Sequence, residues 1–177
     1  NPGITEEGVK AIRKKEVEAV QNVLNVTVEF KDWGDHLLNI TQERIEELAY
    51  TIKQFRPSII LTQYEKDVLN FDHPATAKAV FSAVRLARVA GVFPELPRIT
   101  LPEIFMYEPS QPELFGFQAD TYIDITDQMD KKVEAMQAVG AQEYLIESYR
   151  VRATYRGLLA KMLSGKKSLK YAEAFVR

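Results

Sequence analysis

The sequence predicts an α/β sandwich with a largely parallel sheet, and three observations carry that expectation. Short apolar runs of strand character alternate with longer stretches of helical periodicity. The run Ser58-Ile59-Ile60-Leu61-Thr62-Gln63 stops at polar residues, and a loop then leads to Asn70-Phe71-Asp72-His73-Pro74 and an Ala-rich helical segment. A titratable His therefore falls between the carboxyl end of a strand and the amino end of a helix, where open α/β sheets build their sites. With 177 residues, 46% of them hydrophobic, the chain is expected to form one domain, residues 1–177, with a sizeable core.

Each element follows from local signals. Thr5 followed by Glu6 and Glu7 is a helix start, an N-cap hydroxyl and then acids at the positive end of the helix dipole. Val9, Ile12, Val17, Val20 and Leu24 fall on one face of that helix. Val26-Thr27-Val28-Glu29-Phe30 alternates and reads as a strand, and Trp33-Gly34-Asp35-His36 as a loop. Thr41 is the next N-cap, with Ile45, Leu48, Ala49 and Ile52 as the apolar stripe. Pro57 ends that helix, and residues 58–63 read as a buried strand. Pro74 suits the first turn of a helix running to about Ala90, with Gly91 as its stop. Its alanines at 75, 77, 79, 83, 87 and 90 permit close packing on a sheet. Pro94, Pro97 and Pro102 punctuate an irregular connection. Residues 104–107 and 121–125 read as strands, Asp127 as the cap of a helix, and 143–163 as a further helix. The tail 171–175 is compatible with strand or turn. The first helix has no strand before it, although a doubly wound domain normally opens with one.

Composition excludes several function classes. The formal charge of −2 argues against a nucleic-acid partner, which would need a basic face. No apolar run is long enough to span a bilayer and no secretory signal pattern is present. The absence of Cys rules out disulfides and thiolate metal sites within these residues and fits a cytoplasmic protein. A metal would have to be held by imidazole and carboxylate, and the only two His are His36 and His73.

His73 is the candidate ligand or acid/base. A helix N-terminus disfavours imidazolium, which leaves the ring able to offer a lone pair. Three roles are open to Asp72: orienting a ring, accepting a proton, or capping the helix. A catalytic zinc needs three protein ligands, and His73 supplies one.

The ordered set of motifs resembles the LmbE/PIG-L superfamily of zinc-dependent N-deacetylases and relatives. It comprises Arg13-Lys14-Lys15-Glu16, then Arg56 to Thr62, Asp72-His73 and Ala77 to Val80, then Asp124-Ile125-Thr126-Asp127 with Lys131-Lys132 and Gln142, and finally Ala172-Glu173-Ala174-Phe175. The resemblance implies a Rossmann-like fold with zinc as cofactor, His73 as a metal ligand, Asp72 as the catalytic carboxylate beside it, and Arg13 as a substrate-binding residue. The family's first signature, a His-x-x-Asp loop that supplies two ligands and a general base, does not occur here. The resemblance thus implies that roughly 50 or 60 residues of a family domain, about two βα units, precede Asn1. Asn70 stands where many members have another His. Within the family the pattern is similar to the 4-oxalomesaconate hydratase branch, through residues 70–74, Tyr107-Glu108-Pro109-Ser110-Gln111-Pro112 and residues 124–132. That branch has a His where this chain has Ser110, and a serine does not titrate near neutral pH. Ser110 is left as a hydrogen-bonding, substrate-binding candidate.

The resemblance implies a zinc-activated water that removes acetyl from an N-acetylated sugar or similar amide. A lyase adding water to an unsaturated polycarboxylate and a non-catalytic ligand-binding or subunit role stand as alternatives. A small-molecule substrate is expected, with no nucleic-acid or membrane partner. A homo-oligomer is expected from Trp33 and from Arg150, Arg152 and Arg156 at helical spacing. His36 reads as a surface loop residue, Asp35 as a turn or pocket residue, and the Ser164-Gly165-Lys166-Lys167 loop as solvated.

Overall fold

A computed structural model describes residues 3, 5–34 and 37–177. His36 and Asp35 therefore lie outside the described residues. The chain forms two compact units, one from Asn1–Lys31 and Ile123–Glu173, the other from Asp32–Tyr122 and Ala174–Arg177.

In the first unit, α1 (Glu6–Leu24) starts at Thr5, whose hydroxyl accepts from the Gly8 amide, and ends on Asn25 in the left-handed region. Helix α4 (Met129–Gln137) follows a 3-10 turn at Thr126–Gln128, and α1 packs against it. The cap-like carboxylate here is Asp124 rather than Asp127: Asp124 Oδ1 accepts from the Thr126 amide at 2.9 Å. A 3-10 segment at Gly140–Leu145 feeds α5 (Ile146–Ser164). The core of this unit gathers Ile125, Met129 and Ala153 with Val133 and Tyr171. Gly157 allows α5 to lie against the backbone of Lys170, since a Cβ there would stand 2.1 Å from the Lys170 carbonyl oxygen. The basic loop is tied down as well: Lys166 Nζ pairs with Asp124 Oδ2 at 2.6 Å and, with Thr126, holds the Asp124 carboxyl down at about 2.

The second unit carries the strand–loop–helix junction. Helix α2 (Gln42–Phe55) starts at the Thr41 hydroxyl and closes on Arg56, whose φ of 56° turns the chain before Pro57. Strand β1 (Ile59–Thr62), helix α3 (Asp72–Ala87) and strand β2 (Glu103–Tyr107) follow. Ala49 and Ile52 of α2 pack on Ala83, Val84 and Ala87 of α3, with Ile60 and Ile104 of the strands against them. The small side chains bring α2 and α3 close, and burying a side chain such as Ile52 or Val84 contributes about 1.5–3 kcal/mol. Lys53 is buried in this layer, its ammonium bonded to the carbonyls of Val92 and Phe93. A second cluster joins Tyr64, Met106, Phe117 and Ala174, with Phe81 packed on it.

The four strands, including β3 (Thr121–Asp124) and β4 (Ala172–Val176), have the order β1-β2-β4-β3. Strand β1 runs parallel to β2, with Ile59 opposite Glu103, but β2 and β4 are antiparallel, with Met106 opposite Val176. The sheet is mixed, which corrects the expectation of a mostly parallel one. Two helices rather than one lie between β3 and β4, and an even number of traverses delivers the last strand reversed. Residues 26–30 form no strand: alternation supplies propensity, and a ladder needs a neighbouring edge. Among the described residues strand β1 is covered on one side only: Ile59 and Leu61 are exposed while Thr62 is buried. Helix α3 ends three residues before Ala90, and Gly91 turns the chain at φ 88°.

Candidate active site

The junction after β1 is built from a short loop that folds back on the first turn of α3. Thr62, the last residue of β1, is buried, and its Oγ1 has no hydrogen-bond partner among the described residues. A turn follows in which the Asp67 amide donates to the Tyr64 carbonyl at 3.2 Å, while the Tyr64 ring meets Phe117 edge-on at 5.1 Å. This turn buries Asp67, whose side chain is 5% exposed, and aims its carboxylate at the helix start.

The decisive contact is 2.7 Å between Asp67 Oδ2 and His73 Nδ1. A carboxylate only accepts, so in a neutral imidazole the contact places the proton on Nδ1 and the lone pair on Nε2. The His73 side chain is 30% exposed, so its partner is buried while the ring itself stays accessible. A carboxylate behind a histidine is the arrangement that fixes ring and tautomer in metal-ligating imidazoles.

The backbone beside the ring is held separately. The Asn70 side-chain oxygen accepts from the Asp72 amide at 3.0 Å, and the His73 amide donates to the Asn70 carbonyl at 3.0 Å. Asn70 thus does the work of a cap, with Phe71 as the formal N-cap offering no side-chain bond. Asp72 reaches a distant part of the chain. Its Oδ1 accepts from the Leu38 amide, 34 residues away in sequence, at 2.7 Å. Leu37, Leu69, Asn70, Phe71 and Asp72 line a depression of about 270 Å³ beside the helix start.

The structure brings His73 and Asp72 together on the first turn of α3. Ser110 belongs to the same unit, exposed after the buried Pro109 and just before the 3-10 turn Pro112–Phe115. Arg13 lies on α1 in the other unit, ion-paired to Glu16 at 3.0 Å. Trp33 donates its indole N–H to Glu47 at 3.1 Å, with Arg44 over the ring. Asp67 was not among the sequence candidates. An acid six residues before a histidine, in a loop that opens a helix, was the available signal.

His73 Nε2 fits the role of one metal-binding atom. Among the described residues no group of three or more His, Asp or Glu side chains converges to complete a metal site.

The chain is 33% identical to the 4-oxalmesaconate hydratase of Pseudomonas putida over 173 residues, 96% of this chain and 67% of the hydratase. Residues 1–84 match the family model PIG-L, described as GlcNAc-PI de-N-acetylase. The chain belongs to the PIG-L family. It is also 27% identical over 152 residues to a probable N-acetyl-alpha-D-glucosaminyl L-malate deacetylase of Bacillus anthracis, spanning 60% of that relative's length. Among solved structures, GalB, the 4-carboxy-2-hydroxymuconate hydratase of Pseudomonas putida, superposes with a TM-score of 0.95 at 32% identity, over 99% of this chain and 74% of that one. The N,N'-diacetylchitobiose deacetylase of Pyrococcus horikoshii shares the fold, with a TM-score of 0.71 at 17% identity over 99% of this chain and 66% of that one.

Proposed function

We propose that the protein is a PIG-L-family hydratase, adding water across the double bond of an unsaturated polycarboxylate. The observation that carries this reading is the likeness to the Pseudomonas hydratase, 33% identity over 96% of the chain. The 0.95 TM-score to the solved hydratase exceeds the 0.71 to the solved deacetylase. Removal of acetyl from an N-acetylated sugar is the second reading, favoured by the family model and by the Bacillus relative.

In both reactions water is the attacking species. Zinc is the cofactor we assign, and when bound it would lower the pKa of water and polarise a carbonyl. His73 would hold it through Nε2, with Asp67 fixing the ring behind. Asp72, in the lining of the neighbouring depression, is the carboxylate we assign to exchange a proton with substrate. Arg13 and Ser110 are proposed substrate contacts. A guanidinium suits a carboxylate, and a serine hydroxyl can donate to one but cannot supply the proton transfer expected of a His.

Two assays on the whole protein test this. A hydratase consumes the conjugated chromophore of a 4-carboxy-2-hydroxymuconate-type substrate, and a deacetylase releases acetate from an N-acetylglucosaminide. Acetate release without any loss of the conjugated substrate refutes the hydratase reading. His73→Ala should remove stoichiometric zinc in elemental analysis, and unchanged zinc content would sink the ligand assignment.

A further inference from the structure

Helix α5 is apolar on two opposite sides. Its inner side buries Ala153, Arg156, Gly157 and Ala160, three of them small enough to let the helix lie close to the unit beneath. On the other side Val151, Tyr155, Leu158 and Met162 are spaced by four, three and four residues, which keeps them within about 60° of one another on the helix surface. They are 60%, 51%, 55% and 74% exposed, and Tyr144, 77% exposed, lies in the 3-10 segment that leads into the helix. A helix that is apolar on both sides is normally covered on both.

We propose that this outer stripe is the contact between two copies of the protein, with the two α5 helices packed antiparallel. Composition supports it. The exposed side chains include a tyrosine and a methionine, residue types enriched at interfaces. Charge supports it as well. A two-fold axis at Thr154–Tyr155 sets Val151 against the second copy's Leu158 and brings Glu147 alongside the second copy's Lys161. Neither Glu147 nor Lys161 has an ion pair within the described chain. Antiparallel packing also sets the helix dipoles head to tail. Four apolar residues at a/e-like spacing supply a seam that interdigitates with its own copy.

Sedimentation velocity on the whole protein at micromolar concentration tests this. The wild type should run as a dimer or a multiple of two. Val151→Glu combined with Leu158→Glu should halve the mass or weaken association at least 100-fold. Both sites are exposed, so the melting curve should show that the variant is folded. Because these residues contain no Cys, Thr154→Cys adds a single thiol next to the proposed axis. Under mild oxidation it should join two copies far faster than a cysteine placed at the exposed Lys10. A monomeric wild type, a double variant with wild-type mass, or equal cross-linking at both positions would each overturn the proposal.

Discussion

Replacing Asp67 by Asn separates a carboxylate that positions His73 from one that merely fills space. The two side chains are nearly the same size, so packing around a residue that is 5% exposed is kept. What changes is the 2.7 Å contact to Nδ1, from a charge-assisted bond to a neutral one. Hydrogen bonds to charged groups are worth about 1.5–3 kcal/mol and neutral ones about 1, so the stability loss should be about 0.5–2 kcal/mol. The effect on the ring should be larger. Partners behind a ligating imidazole typically govern metal affinity or activity by 10–100-fold, equivalent to about 1.4–2.7 kcal/mol. Zinc affinity of the whole protein, measured by competition with a chromophoric chelator, should fall by that factor in Asp67→Asn, with a melting shift of a few degrees. Asp67→Glu should restore part of the affinity, because it returns the charge at altered reach. If Asp67→Asn binds zinc within twofold of wild type while folded, the orienting role fails. If affinity and melting temperature fall together and Asp67→Glu rescues neither, Asp67 is structural only.

Three further outcomes follow from the packing. Gly157→Ala should destabilise the first unit by about 1–3 kcal/mol or more, because its Cβ would meet the Lys170 carbonyl oxygen at 2.1 Å and its carbon at 2.5 Å, both backbone atoms; chemical denaturation reads it. Lys53→Met should cost about 1–3 kcal/mol by leaving the Val92 and Phe93 carbonyls without their donor, visible as a lowered denaturation midpoint. The Asp124–Lys166 pair predicts a pH dependence. The Asp124 carboxyl is held down at about 2 from 3.8, so its contribution is present above about pH 4 and is lost as pH falls towards 2. Asp124→Asn should flatten stability over that interval and leave it unchanged between pH 5 and 8 in shape, and a variant that keeps the wild-type acid slope would refute the assignment.

What could be read from the sequence is what local chemistry dictates. Thr5 and Thr41 cap their helices as expected, and the alanines at 77, 79, 83 and 87 are buried. What escaped depends on partners distant in the chain. Residues 26–30 alternate, but a strand exists only where an edge accepts it. The direction of β4 is set by how many helices precede it, which alternation alone does not record. Asp67 reaches His73 only because the turn at Tyr64–Asp67 folds the loop back. Ser110 and Arg13 were chosen by resemblance rather than by local pattern.

The strongest case against a site at this junction was that an Asp-His pair before a helix is an ordinary cap. A cap needs one acceptor on the first free amides. Here Asn70 meets that need through its side-chain oxygen on the Asp72 amide. The two carboxylates do other things: Asp72 ties the helix start to Leu38, and Asp67 grips the imidazole. Burying an acid costs free energy unless it is paired, and the 5%-exposed Asp67 meets that condition through the His73 ring. Its burial makes sense if the ring it holds must present Nε2 in one direction. The capping explanation accounts for Asn70 but not for the Asp67–His73 contact, which the proposed ligand role would use.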